Sequence, residues 1–136
     1  MIVVDTNQLA YLLLGGAQTA AVRAVYDADP DWMAPMLWRS EFRSILAQYL
    51  RVKQLTLSNA LEAQALAEEM MEGRELVDDS EAVLRLLAQS TCSAYDCEFV
   101  ALAQELGVPL VTSDQQVLKA FPGVARSAAA FVAGSA

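Results

Sequence analysis

Residues 1–16 read MIVVDTNQLAYLLLGG. Ile2, Val3 and Val4 form a short β-branched run, the composition of a strand buried on both faces. The segment TNQLAYLLL after it is apolar at helical spacing and closes on Gly15 and Gly16, a helix with a glycine stop. Asp5 stands at the joint. The same order returns near the other end of the chain, where VPLVTSD leads from a second apolar run through Asp114 into QQVLKAF. Between the two lie helical patterns over residues 17–27, 37–51, 56–73, 78–90 and 93–106, the last of these stopped by Gly107. A turn with a short extended stretch is expected at DPDWMAP and a strand at RELV. The tail SAAAFVAGSA reads as a short helix that frays into small residues. Strands alternating with helices predict one α/β domain over residues 1–136, with a small, mostly parallel central sheet flanked by helices. Ligands of such sheets bind outside the carboxyl ends of the strands. If the first strand and the VPLVT strand are neighbours, Asp5 and Asp114 emerge on one rim.

The chain has 136 residues, enough for one core and too few for two. With 55% hydrophobic and 19% charged residues it is globular rather than disordered. A net charge of −8 argues against a general coat for nucleic acid and favours a multivalent cation or a basic partner. There is no histidine, which excludes Ser-His-Asp and Cys-His catalysis and Cys/His zinc sites. Proton transfer falls to a carboxylate, a lysine or a metal-bound water. Cys92 and Cys97 are five apart, neither a CxxC motif nor a disulfide framework, and read as apolar, reduced residues of a cytoplasmic protein. No apolar run reaches transmembrane length. LAYLLLGGAQTAA resembles an export signal, but Asp5 precedes it and the first basic residue is Arg23, the wrong charge order for one.

Four acids carry the chemistry. Each has an ordinary reading beside the functional one. Asp5 is placed to cap the first helix. Asp96 makes an S-x-x-D capping box with Ser93, yet it falls within about 60° of the centre of the stripe formed by Tyr95, Phe99, Leu102, Ala103 and Leu106. Asp114 sits at a helix start, where negative charge is favoured by roughly 0.3–1 kcal/mol. Glu41 lies mid-segment in LWRSEFRSILAQYLR, roughly 90° from the apolar centre on the flank of Ser44 and Gln48, so capping does not account for it. Two carboxylates about 5 Å apart repel by roughly 3 kcal/mol at an effective dielectric near 20. Gathering four therefore requires protonation or a divalent ion. Oxygen donors alone favour Mg²⁺ or Mn²⁺ over zinc. Such a site activates water and offsets charge on a phosphate.

In sequence the chain resembles the PIN-domain ribonucleases, in particular the VapC-like toxins of type II toxin–antitoxin pairs. IVVDTN is similar to the family's first motif and gives Asp5; WRSEFRSIL gives Glu41; SAYDCEFVALA gives Asp96; GVPLVTSD gives Asp114. The resemblance spans nearly the whole chain. It implies a PIN-like fold and cleavage of RNA with Mg²⁺ or Mn²⁺, commonly by a homodimer. Toxin members are blocked by an antitoxin. In that scheme Asp5, Asp96 and Asp114 are direct or water-mediated metal ligands, and Glu41 binds an ion or orients the attacking water. Asn7, Thr112 and Ser113 support them by hydrogen bonding waters or a phosphate, the ordinary reading of Ser113 being an S-x-x-Q cap with Gln116. The chain departs from the pattern after the fourth aspartate, where Gln115 and Gln116 stand in place of a further acid or basic residue. Removing the four ligands leaves 13 acids against 9 basic residues, so any grip on RNA is local.

Arg39 and Arg43 fall on the flank opposite Glu41 and suit dimer contacts, distant RNA or a solvated face better than a phosphate clamp. Glu98 offers a further acid for a metal, but at about 100° from its helix's apolar centre it suits solvent better. Trp32, Trp38, Met70 and Met71 suit core or interface better than base stacking. Two rivals stand beside the nuclease. A haloacid-dehalogenase-type phosphatase needs D-x-D, and Asn7 occupies the second position. A PIN-like interaction module that no longer cleaves is the non-enzymatic alternative.

Overall fold

The computed structural model describes residues 1–134; the last two residues of the expected tail lie outside the described residues. In chain order the elements are β1 (Ile2–Val4), α1 (Thr6–Leu14), α2 (Thr19–Ala28), β2 (Trp32–Pro35), α3 (Trp38–Arg51), α4 (Leu57–Met70), β3 (Glu75–Leu76), α5 (Ser80–Gln89), α6 (Ala94–Leu106), β4 (Leu110–Val111), α7 (Gln115–Ala120), β5 (Ala125–Arg126) and α8 (Ala128–Gly134). The strands form one sheet in the order β3-β2-β1-β4-β5, and every pairing is parallel. β1 lies at its centre, with Ile2 opposite Trp32 on one side and Val4 opposite Val111 on the other. That position explains its uniformly apolar, β-branched sequence, because helices cover both faces of a parallel sheet.

The chain runs outward from β1 through β2 to β3, then crosses back to place β4 and β5 on the other side. The winding reverses between β1 and β4. Their carboxyl ends open on a crevice of the kind where such sheets hold ligands.

Helix α6 forms the middle of the core. Cys97, Val100, Ala101, Leu102 and Ala103 are all buried, and the small side chains let the helix lie close to β1, β2 and β4. Trp32, Trp38 and Phe42 are fully buried, with edge-to-face contacts from Tyr26 to Trp32 and from Trp38 to Phe42. Both cysteines are buried and free. Gly107 ends α6 at φ 67°, the left-handed region, and returns its N–H to the last turn of the helix.

Local expectations change in three places. β5 was not expected: PGVAR carries little strand signal, and pairing with β4 supplies it through Leu110 N–H to Val124 and Thr112 N–H to Arg126. The cap of α5 is Asp79, which accepts from Glu81 N–H, in place of an Asp78–Glu81 box. Asp78 instead lies near Glu98 and Glu105 of α6. Arg39 is not a free surface cation. Its guanidinium grips Glu75 of β3 with two hydrogen bonds of 2.6 and 2.7 Å and Glu68 of α4 with a third of 2.6 Å, and Trp38 adds its indole N–H to Glu75. Among the described residues no helix is long and apolar enough to cross a membrane.

Candidate active site

The site is built where β1 and β4 end side by side. Asp5 leaves β1 in an extended conformation and caps α1, accepting Gln8 N–H at 3.2 Å. Its other carboxylate oxygen accepts the hydroxyl of Thr112, the residue after β4. That hydroxyl in turn accepts the N–H of Asp114 at 3.0 Å, and Asp114 caps α7 through the N–H groups of Gln116 and Val117. One buried threonine thus joins the two strand ends and both aspartates. Thr6 does the same for α3, donating its hydroxyl to Glu41 at 2.7 Å. α3 begins at Trp38, so Glu41 lies in its first turn, where the helix dipole favours a negative charge, and not mid-helix. Asp96 occupies the first turn of α6, its N–H donated to the Ser93 hydroxyl at 3.1 Å. The ordinary capping readings of Asp5, Asp96 and Asp114 therefore hold in the same geometry that turns them toward one space.

That space is a cavity of about 670 Å³ lined by Asp5, Glu41, Asp96 and Asp114. Asn7 and Thr112 also line it, as do Ser40, Ser44 and Gln48 along α3 and Tyr95 of α6. Ser113 does not; its hydroxyl accepts from the Gln8 amide at 2.9 Å, and the expected Ser113–Gln116 cap is made by Asp114 instead.

Burial raises the affinity of Asp5, Glu41 and Asp96 for protons above that of ordinary carboxylates. For Asp5 burial is opposed by hydrogen bonds from Thr112, Gln8 and Ser113. For Glu41 the charges of Asp5, Asp96 and Glu98 add to burial, and the Thr6 hydroxyl opposes them. For Asp96 the charge of Asp114 adds to burial, and Ser93 opposes it. Asp78, beside Glu98, is pushed up to about 7, chiefly by burial. These groups hold protons more tightly folded than unfolded. Folding then takes up protons between the ordinary carboxylate range and the raised values, so stability falls as pH rises through that window. The melting temperature of the chelator-treated protein is expected to climb by a few degrees from pH 8 to pH 5. A flat or falling profile would mean the burial cost is already met by hydrogen bonds. Glu75, held low by Arg39, acts in the opposite sense only at more acid pH.

Among the described residues, no three His, Cys, Asp or Glu side chains are drawn tightly enough together to form a ready metal cage. Thr6 donates its hydroxyl to Glu41 and Thr112 to Asp5, so two of the carboxylates are held in orientation by hydrogen bonds. The donor set itself, carboxylates on a single cavity with no nitrogen or sulfur among them, suits Mg²⁺ or Mn²⁺.

Two residues that bear on the site were not expected, and a third is placed differently. Thr6 and Gln8 lie within α1, where the apolar pattern gives no hint that two polar side chains turn inward. Gln8 is fully buried, and its Oε1 has no partner among the described residues. Glu98 is half-buried, near Asp78 and close enough to raise Glu41, not free in solvent.

The sequence matches the family described as PIN domain over residues 2–123. PAE2754 from Pyrobaculum aerophilum shares the fold with a TM-score of 0.75 at 20% identity, over 98% of this chain and 95% of that one. FitAcB from Neisseria gonorrhoeae gives 0.75 at 18% identity, over 94% and 98%. FitAB bound to an IR36 DNA fragment gives 0.62 at 21% identity, over 94% and 95%. At these identities the likeness is one of fold. No curated protein matches the sequence.

Proposed function

The chain belongs to the PIN domain family, whose members are typically nucleases, and on that premise we propose that it is a Mg²⁺- or Mn²⁺-dependent endoribonuclease. The observation that carries this reading is the descent of four carboxylates, from four separate parts of the fold, onto one cavity at the point where the sheet reverses its winding. Asp5, Asp96 and Asp114 would hold the ion, with Glu41 either a further ligand or the acceptor that orients a water. When bound, the ion supplies water activation and neutralises charge on the phosphate. Thr112 keeps Asp5 and Asp114 in register, and Thr6 aims Glu41. Asn7, exposed at the cavity, would donate to a phosphate oxygen.

We further propose that the enzyme is the toxin of a toxin–antitoxin pair. Its partner would be a small basic protein suited to a chain of net charge −8, and it would act as a homodimer. FitAB, of the same fold, is seen bound to DNA. An assembly of this chain with an antitoxin on DNA is the corresponding arrangement. The carboxylates' distance from a ready cage favours one alternative, a PIN-like interaction module without catalysis. Cleavage of single-stranded RNA separates the two. Activity is expected with Mg²⁺ or Mn²⁺ and none with EDTA. Cleavage that survives chelation, or none under either condition, contradicts the proposal.

A further inference from the structure

Tyr95 lies next to Asp96 in the first turn of α6, and its helical spacing with Phe99 and Leu102 places it on the apolar stripe. The structure does otherwise: Tyr95 is 60% exposed, on the wall of the acidic cavity. Of the ten aromatic side chains in the sequence it alone is exposed; Trp32, Trp38 and Phe42 are fully buried and the others partly or wholly so. An aromatic ring left in water beside a functional cavity is the kind of group that a ligand covers.

The make-up of the cavity points to the ligand. No lysine or arginine lines it. Beside Glu41, its α3 wall carries Ser40, Ser44 and Gln48, uncharged polar side chains able to bond the edge of a base. Inside the cavity a nucleic acid meets no cationic side chain, the Arg43 guanidinium that donates to Ser40 standing outside the lining, so stacking and neutral hydrogen bonds contribute to its hold there. A volume of about 670 Å³ leaves room for a nucleoside beside the carboxylates. A duplex keeps its bases stacked on one another, whereas a single strand can offer a free π-face.

We infer that Tyr95 is a stacking platform for one unpaired base beside the reacting phosphate. The inference rests on the nuclease reading for the identity of the ligand, and on the exposure of Tyr95 at the cavity wall for the mode of binding.

The test is rapid mixing of the full chain with single-stranded RNA carrying one 2-aminopurine, with Mg²⁺ present and cleavage followed in parallel. Stacking is expected to quench the fluorophore with the wild type and with Tyr95→Phe, and not with a duplex of the same sequence. Tyr95→Ala is expected to lose the quench and to raise KM on the order of tenfold. Its kcat should stay near the wild-type value and its melting temperature should not change, since the ring packs on little. Equal quenching and KM in Tyr95→Ala, or equal quenching by duplex, would overturn the inference. Tyr95-dependent quenching without any metal-dependent cleavage would sink the nuclease reading and leave base stacking standing. Metal-dependent cleavage with wild-type KM in Tyr95→Ala would do the reverse.

Discussion

Asp5→Asn is expected to lower metal-dependent RNA cleavage at least about 100-fold while the metal-free protein melts at a higher temperature than the wild type. The two effects have one origin. Asparagine matches aspartate in shape and caps a helix as well, so acceptance from Gln8 N–H survives, while the new amide nitrogen faces the Thr112 hydroxyl and donates to it. What disappears is a negative charge whose burial already makes it reluctant to ionise. Without metal, losing that charge stabilises the fold. With metal, it removes a ligand, and even outer partners of ligands typically change metal affinity 10–100-fold. Circular-dichroism melts in EDTA and steady-state cleavage in Mg²⁺ check the pair. Cleavage near the wild-type rate would remove Asp5 from the reaction. A lower melting temperature would show that hydrogen bonds to the charged form outweigh its burial.

Thr112→Val carries the second large effect. Valine preserves shape and β-branching at the end of β4, but deletes the hydroxyl that donates to Asp5 and accepts from Asp114 N–H. Two carboxylates from different strands then lose their common tether. The Mg²⁺ concentration for half-maximal cleavage is expected to rise about 10- to 100-fold, with kcat largely restored at saturating Mg²⁺. Loss of the acceptor for Asp114 N–H should also cost roughly 1–3 kcal/mol of stability by denaturant melt. Thr112→Ser keeps the hydroxyl and should behave like the wild type in Mg²⁺ dependence. An unchanged Mg²⁺ requirement in Thr112→Val would make the threonine a strand-end packing residue and nothing more.

Where the sequence spoke clearly, it did so through patterns that need no tertiary information. Ile2–Val4 carries its burial in its β-branched run, and Gly107 carries the end of α6 in its left-handed backbone. The placement of Asp5 and Asp114 on one rim required a single added premise, that their strands are neighbours, and the pairing of Val4 with Val111 meets it. Other features are tertiary in origin. β5 exists because β4 offers an edge to Ala125–Arg126, not because those residues favour a strand. Tyr95 follows the apolar spacing of its helix, but it stands one turn before the point where α6 becomes fully enclosed, at Phe99 and Val100, so periodicity misplaces it. Thr6, Thr112 and Gln8 look alike in sequence to any capping or solvent-facing polar residue. The resemblance already points to Thr112 as a support; the meeting of β1, β4 and α3 adds that its hydroxyl and that of Thr6 bond the acids directly. Arg39 shows the same limit: the helical wheel sets it away from Glu41, and β3 and α4 then supply its carboxylate partners.

The account stands on four carboxylates acting as one divalent-cation site. Titration of Mn²⁺ into the metal-free wild-type chain, followed by calorimetry, tests this most directly. Saturable binding is expected, and each of Asp5→Asn, Glu41→Gln, Asp96→Asn and Asp114→Asn should weaken it at least about tenfold. Binding that is absent, or indifferent to all four substitutions, would contradict it.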